Sequence, residues 1–149
     1  MSQTGALRGL SDMSELPHHP AASDGPPARV EILAETAATA PVPEGLVGRT
    51  ILVSFPPGSP GAPPHRHPGP IYGYVVKGAI AFQLEGEPER VIKAGEAFFE
   101  PGGDVIHLKG ANLLADEESA LVATMICEPG APVLTFVSAE ELKARGHLE

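Results

Sequence analysis

Beyond Arg29 the chain runs in short apolar stretches cut by turn residues, with no apolar repeat of helical period long enough to build a bundle. Stretches rich in β-branched and aromatic residues occupy Val30 to Leu33, Thr50 to Phe55, Ile71 to Val76, Ala79 to Glu85, Glu89 to Ile92, Ala97 to Glu100, Val105 to Leu108, Leu121 to Cys127 and Val133 to Phe136. Their length and spacing predict the strands of an all-β sandwich or barrel, not βαβ units. Pro56, Pro57, Gly58, Pro60, Gly61, Pro63 and Pro64 form a rigid loop, and Lys77-Gly78, Gly86 and Lys93-Ala94-Gly95-Glu96 have the composition of hairpin turns. Some stretches, such as Tyr74-Val75-Val76, are apolar on both faces, so each sheet is expected to be covered twice. One cover is the barrel interior and the other is expected to be a homodimer interface. Near the end, Ser138 followed by Glu141 has the form of a capping box and predicts a short closing helix.

The first 28 residues differ: they are polar and interrupted by Pro17, Pro20, Pro26 and Pro27, with one short helical possibility at Ser11 to Leu16. They read as an arm, either a disordered tail or a segment packed on the barrel or a partner subunit, ahead of one domain over 29–149. Gly and Pro at 17 each fit a loop-rich β protein. With 10 Lys+Arg against 19 Asp+Glu and a net charge of -9, the chain lacks the basic face that nucleic acid or an anionic membrane demands. A single cysteine, Cys127, excludes an internal disulfide, and no stretch is long and apolar enough to span a membrane. The start also lacks the order of a secretory signal, so the expected location is cytoplasmic.

His65-Arg66-His67 is the most informative triplet. Residues two apart on a strand project to one face, so two imidazoles can meet one metal ion, and neutral imidazole suits Fe, Ni, Cu, Mn or Zn. Alone, the triplet is equally readable as two surface histidines beside a loop.

Its context is more specific. The run from Gly61 through His65, His67 and Ile71 to Gly78 resembles the first motif of the cupin superfamily, in which HxH is followed by a glutamate and then a glycine. The run from Gly95 through Pro101-Gly102-Gly103 and His107 to Asn112 resembles the second motif, with one extra residue before its histidine. The resemblance covers roughly Arg49 to Phe136 and implies a double-stranded β-helix barrel with a short C-terminal helix, in which His65, His67 and His107 hold one divalent metal. Ile71 stands at the glutamate position, so the resemblance implies either three histidines with an open position or loss of the metal. Three neutral ligands leave the ion's charge uncompensated, which favours an anionic chelating substrate such as an enolate or diketone. A metal-dependent dioxygenase with iron is the leading expectation. A zinc or nickel isomerase or cyclase, a manganese site, or a non-catalytic cupin that binds a small metabolite are the alternatives.

Among weaker candidates, Tyr72, Gln83 and Phe99 are taken as substrate-contacting, the aromatics being otherwise core or interface residues and Gln83 otherwise solvent-exposed. Glu100 reads as a solvated turn residue or as an acceptor for a histidine N–H. His18 and His19 read as surface residues, and Cys127 as a buried structural thiol.

Overall fold

The computed structural model describes residues 25–37 and 43–148, with the side chains of 33–37 left aside. The expectations for Ser11 to Leu16, His18 and His19 lie outside the described residues. Ten strands precede one helix: β1 (Arg29–Ala37), β2 (Val47–Phe55), β3 (His65–Arg66), β4 (Ile71–Lys77), β5 (Ala79–Leu84), β6 (Arg90–Lys93), β7 (Ala97–Glu100), β8 (His107–Asn112), β9 (Ser119–Cys127), β10 (Thr135–Phe136) and α1 (Ala139–Ala144). They form two five-stranded sheets with the orders β1-β2-β9-β4-β7 and β10-β3-β8-β5-β6. Every strand pair is antiparallel.

Alternation along the strands explains the core. In β4, Ile71, Gly73 and Val75 turn inward while Tyr72, Tyr74 and Val76 turn outward, the period of two that a pleated strand imposes. The first sheet sends Ile51, Ile71, Val75, Phe98 and Met125 into the interior, where they join Ile80, Phe82, Leu84 and Ile92 of the second. Burial of each such side chain is worth about 1.5–3 kcal/mol. On the outer face of β4 and β7, Tyr72, Tyr74, Val76 and Phe99 are exposed among the described residues.

The Lys77-Gly78 turn is not the hairpin its composition suggested, because it carries the chain from β4 in the first sheet to β5 in the second with no ladder between them; the turn at Gly86, between the paired β5 and β6, is a hairpin. Gly78 has φ +74°, and a Cβ there would lie 2.1 Å from Ser119 Oγ, so only glycine fits. That hydroxyl accepts from the Ala79 N–H at 3.0 Å and donates to Asn112 Oδ1 at 2.7 Å. Asn112 is a buried hub: Nδ2 lies within 3.1 Å of the Phe55, Pro56 and Glu117 carbonyls, and Oδ1 also accepts from the Leu114 N–H. The closing helix is capped as expected by Ser138, whose hydroxyl accepts from the Glu141 N–H. The reciprocal arm of the capping box is diverted, because both Glu141 carboxylate oxygens accept from Arg66, at 2.6 and 3.2 Å. Among the described residues no helix is long and apolar enough to cross a membrane.

Several boundaries differ from the sequence reading: β1, β2 and β9 run longer than expected and β10 is shorter, and two further differences bear on the site. The histidine triplet contributes a strand of its own, β3, and β8 starts at His107 instead of Val105. The cause of the second difference is the glycine pair ahead of it. Gly102 and Gly103 both have positive φ, and the Gly103 N–H donates to the His67 carbonyl at 2.9 Å, which draws this segment into a loop contact and away from the sheet ladder.

Candidate metal centre

Strand register brings the two motifs together. His65 in β3 and His107 in β8 are direct cross-strand partners, with ring centroids 4.8 Å apart. His67 lies just past β3, in a segment pinned by the Gly103 bond. Gly102 presses against it so closely that a Cβ would come within 2.2 Å of the Gly69 carbonyl oxygen. All three histidines are buried, and their candidate ligand nitrogens lie within 4.8 Å of one another. Metal–nitrogen bonds of about 2.1 Å span at most about 4.2 Å between donors, so the cluster contracts by some tenths of an ångström to take an ion.

The backbone fixes which nitrogen of each ring is free. A carbonyl oxygen only accepts, so a ring nitrogen facing one must carry the proton. His65 Nδ1–H donates to Pro63 O at 2.7 Å and His67 Nδ1–H donates to Val133 O at 2.8 Å. His107 is anchored the other way round, its Nε2–H donating to Lys109 O at 2.8 Å. The bare nitrogens are therefore Nε2 of His65, Nε2 of His67 and Nδ1 of His107. The first two face each other at 3.1 Å with no proton between them in the neutral rings. Converging lone pairs, each oriented by a bond from the far side of its ring, are the donor arrangement of an imidazole metal site.

A fourth group enters from the opposite sheet. Glu100, at the end of β7, is 5% exposed and is not the solvated turn residue that its place before a Pro-Gly pair suggested. Its Oε2 lies 3.0 Å from His107 Nδ1 and 3.4 Å from His67 Nε2. Both Glu100 Oε2 and His107 Nδ1 are buried without a hydrogen-bond partner. The sequence signal for this residue was the alternation in Ala97-Phe98-Phe99-Glu100, which puts Glu100 on the inward face with Phe98. The donor set, three neutral nitrogens and a carboxylate oxygen with unpaired buried atoms, fits a divalent cation.

Burial, reinforced by the neighbouring rings of His107 and His67, holds His65 well below the ordinary histidine range. Burial also lowers His67, although Glu100 opposes it. Burial alone would raise Glu100, but its contact with His107 and the charges of His107 and His67 leave it below the usual carboxylate range, so it stays ionised. The folded site thus refuses ring protons that the unfolded chain accepts below its pKa of about 6.5. Thermal melts of metal-free protein are expected to be flat above about pH 6.5 and to fall progressively as pH drops below it. Dialysis at each pH is expected to release bound metal only below about pH 6.5, since protons compete for these rings at their lowered folded-state values.

The other candidates stand elsewhere. Tyr72 and Phe99 are cross-strand partners with ring centroids 5.1 Å apart, and both are exposed on the outer face, on the opposite side of their strands from Ile71 and Glu100. Pleating sends these neighbours to opposite faces, so neither aromatic lines the histidine cluster. Gln83 donates to the Glu87 carbonyl at 3.3 Å, spanning the turn after β5. Phe82 is the aromatic that does touch the site, its ring centroid 4.8 Å from that of His107. Cys127 is buried at the end of β9.

These features define a double-stranded β-helix enclosing a three-histidine centre fit for a metal ion. The chain carries a cupin domain: the Cupin domain family matches residues 51–111, a span that includes His65, His67 and His107. A search of curated proteins finds no match. Among solved structures, it is similar to a conserved Klebsiella pneumoniae protein with a double-stranded β-helix domain (TM-score 0.56, 17% identity, 78% of this chain and 89% of that one). A cupin-like protein from Thermotoga maritima gives a TM-score of 0.53 at 21% identity, covering 79% and 84% of the two chains. An oxalate oxidase in complex with the substrate analogue glycolate gives 0.51 at 22% identity, covering 76% and 71%. At such identities the likeness is one of fold.

Proposed function

We propose that the protein is a metal-dependent small-molecule enzyme of the dioxygenase type, acting on an anionic chelating substrate such as an enolate or a deprotonated diketone. The observation that carries this reading is the set of three buried imidazoles, each held through one nitrogen by a backbone carbonyl and each turning the other toward a common point. His65, His67 and His107 would hold the ion, which when bound supplies Lewis acidity and, if it is iron, a partner for dioxygen. The chain's own part is orientation and exclusion of water. Phe82 against His107 and the buried Ile71 beside Glu100 give the cluster apolar walls. The Glu100 carboxylate offsets one of the two positive charges of a divalent ion, so a monoanion completes the neutralisation. The exposed Tyr72, Tyr74, Val76 and Phe99 support a homodimer built on that sheet face.

Iron(II)-loaded protein is expected to consume oxygen in step with loss of one member of a panel of 1,3-diketones and 2-hydroxycarboxylates, and His67→Ala to consume none above background. Binding of a panel member without turnover under any of iron, manganese, zinc or nickel would instead support a non-catalytic metabolite-binding cupin.

A further inference from the structure

We propose that Glu100 is the fourth protein ligand of this centre, supplying from β7 the carboxylate that the first motif, with Ile71 in the glutamate position, does not. The proposal rests on the reading that the three histidines hold a metal.

The first argument is that the carboxylate is buried, aimed at the cluster and otherwise unsatisfied. Glu100 Oε2 has no hydrogen-bond donor, and the nearest ring nitrogen, His107 Nδ1 at 3.0 Å, has none to offer, because that ring's proton is on Nε2 and committed to Lys109 O. A buried anion facing a lone pair at that distance is repulsive unless a proton or a metal cation lies between them. The second argument is distance. Metal bonds of about 2.0–2.2 Å place adjacent donors roughly 2.8–3.6 Å apart across octahedral to tetrahedral arrangements. The separations from Glu100 to His107 and to His67 and from His65 to His67, at 3.0, 3.4 and 3.1 Å, all fall in that interval.

The third argument is register. Ile71 and Glu100 are directly opposite one another in the β4–β7 ladder, and both point inward. Opposed residues of an antiparallel pair have Cβ atoms about 4.5–5.5 Å apart, so a glutamate at either position reaches the same interior volume. The ligand has moved one strand sideways, and the isoleucine fills the space that it left. A hard oxygen donor beside three imidazoles also admits manganese and iron(II) alongside zinc and nickel.

The test uses the full chain, stripped of metal and titrated with cobalt(II) alone, following affinity by calorimetry and coordination by the visible absorption of the ion. Glu100→Gln is expected to weaken cobalt binding about 100-fold and to change the spectrum, with Glu100→Asp weakening it less. Adding Ile71→Glu to Glu100→Gln is expected to recover most of the lost affinity. If Glu100→Gln fails to fold, the Asp variant carries the comparison, and cobalt affinity equal to that of the unmodified chain would count against ligation. Unchanged affinity and spectrum in Glu100→Gln, with binding lost in His67→Ala, would overturn Glu100 as a ligand and leave the three-histidine centre standing. Failure of the unmodified chain to bind cobalt would sink the metal reading itself.

Discussion

His107→Ala is expected to lower metal affinity by roughly 10²–10³-fold, the order obtained by dividing the 10–16 kcal/mol of a four-ligand site among its ligands. The loss extends beyond one donor. His107 is the direct cross-strand partner of His65 and the nearest ring to Glu100, so its removal leaves that carboxylate 3.4 Å from His67 as its closest remaining ring. Elemental analysis after dialysis should find the variant essentially empty where the unmodified chain retains about one equivalent. Any enzymatic activity should disappear with the metal. The fold itself should survive, because the ring is surrounded by a core built mainly by Ile71, Val75, Ile80, Phe82 and Met125. Metal-free melting curves of the two proteins are therefore expected to differ by only a few degrees. Metal retention in His107→Ala at the unmodified level would remove this residue from the site.

The largest effect on stability is expected at Asn112. Truncation to alanine strands the carbonyls of Phe55, Pro56 and Glu117, the Leu114 N–H and one bond of the Ser119 hydroxyl, of which the Phe55 and Ser119 bonds are buried and the other three partly buried. Buried groups left unsatisfied cost about 1–3 kcal/mol each, and water or small shifts recover part of that, so a net loss of about 3–4 kcal/mol follows. For a domain of this size that lowers the melting temperature by roughly 10–15 °C. Asn112→Asp is the sharper probe. It preserves shape and one acceptor but turns an oxygen toward three carbonyls, so it should be at least as damaging as alanine. A melting temperature within a few degrees of the unmodified protein for both variants would show that the hub contributes little.

The sequence made the strands legible because pleating has a period of two and this chain obeys it, as Ile71-Tyr72-Gly73-Tyr74 does in burial. The three histidines were legible as two motifs. Their meeting was legible only through the cupin resemblance, because it depends on the His65–His107 register, a long-range pairing that no local pattern encodes. Contact of Glu100 with the histidines was only the second of its two readings, for the same reason. A glutamate before Pro-Gly is usually solvated, and only the β4–β7 ladder reveals that it stands opposite Ile71. Tyr72 and Phe99 were misplaced because an aromatic next to a motif residue in sequence is, on a strand, on the other side of the sheet. The start of β8 was misjudged because the Gly103–His67 bond competes with the ladder for the same backbone.

Arg66 separates two of the metal-site histidines, and its guanidinium is clasped by both oxygens of Glu141 on α1, while Arg145 one turn later is held by Asp104 and Glu85. Helix α1 and the residue that caps it are thus mechanically tied to the segment that aims His65 and His67. Glu141→Ala, which opens the clasp from α1, is expected to disturb metal binding from outside the centre, as a cobalt titration would show.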